Sequence, residues 1–118
     1  MQQFYDYRKF ALLYVDDEEK SLKYFQRAFG ETFRILTAPN AAEGLRLVEE
    51  HREDLALILT DQRMPGETGV QFLEKTRRLH PRAIRMLVTA FSDLNDAIDA
   101  VNTGAIYKYI TKPWDVPM

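Results

Sequence analysis

At 118 residues the chain is long enough to bury one real core and too short for two domains, so residues 1–118 read as a single unit. Its 16 Lys and Arg against 18 Asp and Glu leave a formal net charge of −2, which gives no electrostatic footprint for nucleic acid or an anionic membrane. There is no cysteine, which excludes disulfides, thiolate nucleophiles and zinc–thiolate sites, and no apolar run approaches a membrane span or signal peptide, so the expected compartment is the cytoplasm.

Residues 1–9 read as an N-terminal extension carrying Phe4, Tyr5 and Tyr7. A first strand is expected over Phe10–Val15, then a helix over Glu18–Phe29 with Leu22, Phe25 and Phe29 on one face and Gly30 as its stop. A second strand follows over Phe33–Thr37. Asn40 with Glu43 three residues later is an N-cap signature for a helix carrying Leu45 and Val48 to about His51. Leu55–Thr60 is apolar without alternation, as expected of a central strand covered on both faces. The stretch from Asp61 to Gly69 holds two glycines and a proline and reads as a loop. Beyond it come a helix over Val70–Leu79, a strand over Ile84–Thr89 and a helix starting near Ser92 or Asp93. That last helix presents Leu94, Ala97, Ile98 and Val101 as far as Gly104, before a fifth strand over Ile106–Ile110.

Strands alternating with helices predict an α/β fold, a doubly wound parallel five-stranded sheet. Only four helices fit, and the fifth that would complete the winding is missing from this chain. The first helix is then expected alone on its face of the sheet. The aromatic N-terminal segment or a second copy of the chain, as a homodimer, would complete that face. The chain therefore reads as the excised N-terminal domain of a longer protein.

Polar residues cluster at the ends of the apolar runs. Asp16 and Asp17 follow the first strand, Asp61 the third, Thr89 closes the fourth and Lys112 follows the fifth. In a parallel sheet these ends open onto one edge, where ligands bind; with strand order 2-1-3-4-5 the crevice falls between strands 1 and 3. Three carboxylates brought together there repel one another unless a cation intervenes, and Mg2+ takes one or two carboxylates while accepting phosphate oxygens. A carboxylate not consumed by the metal can attack phosphorus, with Thr89 and Lys112 supplying a hydroxyl and a cation for the phosphoryl oxygens. The outline is that of metal-assisted phosphoryl transfer.

The segments Val15-Asp16-Asp17-Glu18, Leu59-Thr60-Asp61-Gln62-Arg63-Met64-Pro65-Gly66, Val88-Thr89-Ala90 and Tyr109-Ile110-Thr111-Lys112-Pro113-Trp114, in this order and spacing, resemble the receiver domain of two-component response regulators. The resemblance runs from about residue 10 to 118 and implies a flavodoxin-like fold. It implies Asp61 as phosphoacceptor, taking the group from a histidine kinase or phosphotransfer protein, with Thr89 and Lys112 contacting the phosphoryl group. It further implies Mg2+ (or Mn2+) held by Asp16, Asp17, Asp61 and the Arg63 backbone carbonyl. Thr89 and Tyr109 would form the switch that controls an output domain in the longer parent protein. Such a module catalyses its own phosphorylation and dephosphorylation and turns over no external substrate. Arg63 and Phe91, two residues beyond Asp61 and Thr89, are bulky, and the family's pattern then implies slow loss of the phosphoryl group.

Two other readings compete. A receiver without its chemistry would be an interaction module, which the complete polar set argues against. A metal-dependent phosphatase with an aspartate nucleophile would place a second acid two residues after it, where this chain has Arg63. His51 and His80, at helix ends, read as surface residues suited to the helix dipole. Trp114 reads equally as packing on the domain or as part of a partner surface.

Overall fold

The structure is a computed structural model and describes residues 7–111. The strands are β1 (Ala11–Val15), β2 (Arg34–Ala38), β3 (Leu55–Asp61), β4 (Ile84–Thr89) and β5 (Lys108–Thr111). The helices are α1 (Glu19–Phe29), α2 (Ala41–Glu50), α3 (Gly69–Leu79) and α4 (Leu94–Asn102), with single 3-10 turns at Tyr7–Lys9 and Phe91–Asp93. All strands are parallel, in the order β2-β1-β3-β4-β5, and the described residues include four helices.

Successive strand residues face opposite sides of a sheet, so the apolar runs supply two cores at once. Leu13, Val15, Ile58 and Leu87 face α2, α3 and α4, where they pack with Val48, Phe72, Leu73 and Ala97. Tyr14, Leu59 and Val88 point the other way, into a smaller cluster with Leu22, Phe25 and Phe29 of α1. The face expected to carry the first helix alone is closed at its centre, where Leu59 and Val88 are buried. Met86 and Ile110, also part of that cluster, are only half-buried.

The caps follow the sequence signals. The Asn40 side chain accepts from the Glu43 N–H at 2.8 Å. Thr68 and Gln71 form a reciprocal capping box that starts α3 one residue before the expected Val70. Gly30 does end α1, but with φ −66°, so ordinary helical backbone rather than a left-handed cap stops the helix.

Three expectations need correction. In α4 the buried residues are Ala97 and Ala100, whereas Ile98 and Val101 are exposed. The small alanines let the helix lie close to the sheet, and that rotates the larger side chains outward. Ladder pairing of the fifth strand begins at Lys108, because Ala105 and Ile106 are spent on packing into the core before the chain enters the sheet. His80 is half-buried, with Nε2 2.9 Å from the Leu55 carbonyl; it ties the end of α3 to the start of β3. The expectations for Phe4, Tyr5, Lys112 and Trp114 fall outside the described residues.

Candidate functional site

Register builds the site. Val15 pairs with Thr60 across β1 and β3, so the next residues, Asp16 and Asp61, stand side by side at the end of the sheet. Asp61 is itself paired with Val88 on β4, which brings Thr89 to the same edge. The Asp16 N–H donates to the Ala38 carbonyl at 3.1 Å, extending the ladder one residue past the strand and fixing where the loop departs.

Asp16, Asp17 and Asp61 each offer a carboxylate oxygen, and the three oxygens lie within 4.8 Å of one another. Asp16 is 0% and Asp61 7% exposed, whereas Asp17 faces solvent. Asp16 is also held locally, since its Oδ1 accepts the Glu18 N–H at 2.9 Å at the entry to α1. It serves as a turn former as well as a cluster member.

An all-oxygen, all-carboxylate set suits a hard cation such as Mg2+. Oxygens sharing one Mg2+ at 2.0–2.1 Å stand about 3 Å apart when adjacent and about 4 Å apart when opposite. The observed spread needs only small side-chain adjustments to meet that. The residues present fit the ion.

The loop after β3 is closed on its own stem by Gln62, a buried residue that the sequence patterns do not single out. Its N–H donates to the Val88 carbonyl at 3.1 Å and its carbonyl accepts the Gly69 N–H at 2.9 Å. Its side-chain Oε1 accepts the Val70 N–H at 2.9 Å, capping a free donor of the first turn of α3. Gly66, at φ +85°, supplies the left-handed turn within the loop.

Arg63 links the loop after β3 to the turn after β4. Its Nε and one terminal nitrogen donate to the two carboxylate oxygens of Asp93, at 2.8 and 2.9 Å. The Arg63 side chain is 74% exposed and that of Asp93 only 10%, so the arginine lies over the loop that follows β4. This bidentate hydrogen bonding raises the guanidinium pKa. Thr89 is buried and its hydroxyl donates to the Ala90 carbonyl at 3.3 Å. Tyr109 is half-buried against the larger core.

The sequence patterns also passed over Tyr14. Its hydroxyl donates to Asp16 Oδ2 at 2.5 Å, and burial first, then this bond and the nearby carboxylates, push the phenol pKa far up, so it stays neutral. The signal was available, because residues i and i+2 of a strand share a face.

Of the expected site residues, the structure gathers Asp16, Asp17 and Asp61 in one cluster and brings Arg63 and Thr89 to the same edge. Tyr109 sits in the neighbouring strand, β5.

An open doubly wound sheet with an acidic cluster at its switch point defines a class of α/β domains that take ligands at the carboxyl ends of their strands. Within that class the chain belongs to the response regulator receiver domain family, whose model matches residues 12–117. It is 42% identical over 104 residues to the hydrogenase transcriptional regulatory protein HoxA of Cupriavidus necator, covering 88% of this chain and 21% of that protein. It is 33% identical over 108 residues to the DNA-binding transcriptional regulator NtrC of Escherichia coli, covering 90% and 22%. A receiver domain protein from Clostridium thermocellum superposes with a TM-score of 0.85 at 28% identity, over 91% of this chain and 85% of that one. The chain thus spans about a fifth of the length of these curated relatives.

Proposed function

We propose that this receiver is a phosphorylation-driven switch in a two-component phosphorelay, with Asp61 as the acceptor. The observation that carries the reading is the convergence of Asp16, Asp17 and Asp61 at the crevice between β1 and β3. An Asp61 carboxylate oxygen attacks the phosphorus of a kinase or phosphotransfer-protein phosphohistidine. The P–O bond forms, the P–N bond breaks and the imidazole leaves with its electron pair, giving an acyl phosphate.

Asp16, Asp17, Asp61 and the Arg63 carbonyl would hold Mg2+, which when bound neutralises the cluster and the phosphoryl oxygens. Thr89 turns its hydroxyl from the Ala90 carbonyl toward the phosphoryl group, and Lys112 pairs with it. Tyr109 follows Thr89 inward, and the changed surface acts on an output module elsewhere in a longer protein. The domain itself has no role in nucleic acid or membrane contact, and it works in the cytoplasm.

Incubation with Mg2+ and acetyl phosphate tests the reading, with intact mass and peptide mapping as the readout. One phosphoryl adduct per chain, mapped to the peptide containing Asp61, is the expected result. No adduct would favour a pure interaction module, and continuous release of phosphate from varied substrates a phosphatase.

The Arg63–Asp93 pair bears on the lifetime of that adduct. With the Arg63 side chain standing two residues beyond Asp61 and tied to Asp93, hydrolytic water is expected to have restricted access to phospho-Asp61. Adduct decay is expected over minutes or longer, and several-fold faster in Arg63→Gly. Decay within seconds in the unaltered protein would contradict this.

A further inference from the structure

We propose that Tyr14 is a positioning residue of the acidic site, acting through Asp16 to preset it for the cation. The inference rests on the metal-assisted reading above and extends it to a residue from inside the sheet.

The phenol projects from β1 two residues before Asp16 and on the same side of the strand. Its hydroxyl meets Oδ2 of a carboxylate that is fully buried, at 2.5 Å, within the range of a charge-assisted O–H···O bond. The other oxygen, Oδ1, takes the Glu18 N–H at 2.9 Å. Each oxygen thus has a donor, and the carboxylate plane is fixed between the strand and the entry to α1.

The ring cannot drift. It packs on Phe25 with centroids 4.7 Å apart, and Phe25 packs in turn on Phe29 at 4.9 Å. A core of three aromatics therefore sets the position of the hydroxyl, which sets Asp16.

The plainer account is that a buried hydroxyl has found the nearest acceptor. Two features argue for more. The acceptor is a member of the three-carboxylate cluster rather than a backbone carbonyl. In addition, a donor on Oδ2 partly offsets negative charge that Asp17 and Asp61 would otherwise face in full. Outer partners that orient ligating groups typically change metal affinity by about 10–100-fold when removed.

Tyr14→Phe keeps the ring and its packing and removes only the hydroxyl. Calorimetric titration with Mg2+ alone is expected to show about tenfold or greater weakening against the unaltered protein. Phosphorylation by acetyl phosphate should slow at low Mg2+ and recover at saturating Mg2+, because the defect lies in affinity. In an Asp16→Asn background, the same substitution should change Mg2+ affinity little.

A Tyr14→Phe protein that binds Mg2+ like the unaltered one would overturn the inference and leave the metal reading intact. So would an equal loss in both backgrounds, which would mean general damage. Absence of Mg2+ binding by the unaltered protein would instead remove the reading beneath it.

Discussion

Asp61→Asn should abolish the acetyl-phosphate adduct and, in Mg2+-free buffer, make the protein more stable than the unaltered chain. The two halves have separate causes. An amide has no anionic oxygen to attack phosphorus, so the chemical step is lost outright. The stability gain comes from electrostatics. Asp61 is buried at the edge of a sheet with two other carboxylates within 4.8 Å. At an effective dielectric near 20, one pair of unit charges that close costs about 3 kcal/mol before screening, and Asp17 is open to solvent. A net gain of about 1–2 kcal/mol is therefore expected, read as a higher urea midpoint with the slope unchanged. Mg2+ reverses the order of effects. It is expected to stabilise the unaltered protein by binding the folded state, whereas the variant, without one of the proposed ligands, should gain less from the same ion. If the variant is no more stable without Mg2+, or if both proteins respond equally to it, the acidic cluster is not the source of strain proposed here.

The fold was legible because its signals are local and repeated. Five apolar runs and four amphipathic segments dictate the alternation, and Asn40 with Glu43 marks the start of α2 within one residue. The acidic site was legible for a topological reason, since parallel strands deliver their C-terminal residues to one edge whatever the sequence between them. What could not be read were contacts set by the third dimension. The Arg63–Asp93 pair joins residues 30 apart through the adjacency of β3 and β4, and neither residue announces the other. Gln62 looks like any loop residue until its side chain is seen capping Val70. In α4 a period of 3.6 correctly placed a helix and put Ala97 inward, but volume decided the rest of the stripe, so Ala100 is buried in place of the larger Ile98 and Val101.

Gly69→Ala should be among the most damaging single-methyl additions in the domain. Gly69 opens α3, and its N–H donates to the Gln62 carbonyl at 2.9 Å, so the helix begins directly against the end of β3. A Cβ there would stand 2.2 Å from the Asp61 carbonyl oxygen, 3.0 Å from the Asp61 carbonyl carbon and 2.8 Å from Leu87 Cδ1. The leucine methyl can move aside, but the Asp61 carbonyl belongs to the sheet. Either the helix start lifts away, breaking the bonds of Gln62, or the strand end shifts and takes Asp61, the proposed acceptor, with it. Overpacking of this kind costs about 1–3 kcal/mol, and an obstacle made of backbone places the change at the upper end. For a domain near this size, that corresponds to a fall in Tm of about 10 °C or more. Gly66→Ala provides the contrast. Its Cβ would meet nothing within 4 Å, so its cost is limited to the left-handed backbone, about 1 kcal/mol. Thermal unfolding of both variants, paired with Mg2+-dependent phosphorylation, separates the effects. Gly69→Ala should lose stability and phosphorylation rate together, because the added methyl strikes the carbonyl of Asp61 itself. Gly66→Ala should lose a little stability and keep its chemistry. A Gly69→Ala protein as stable as Gly66→Ala would show that the helix start has room to retreat, and that the acceptor is not held by the packing of α3.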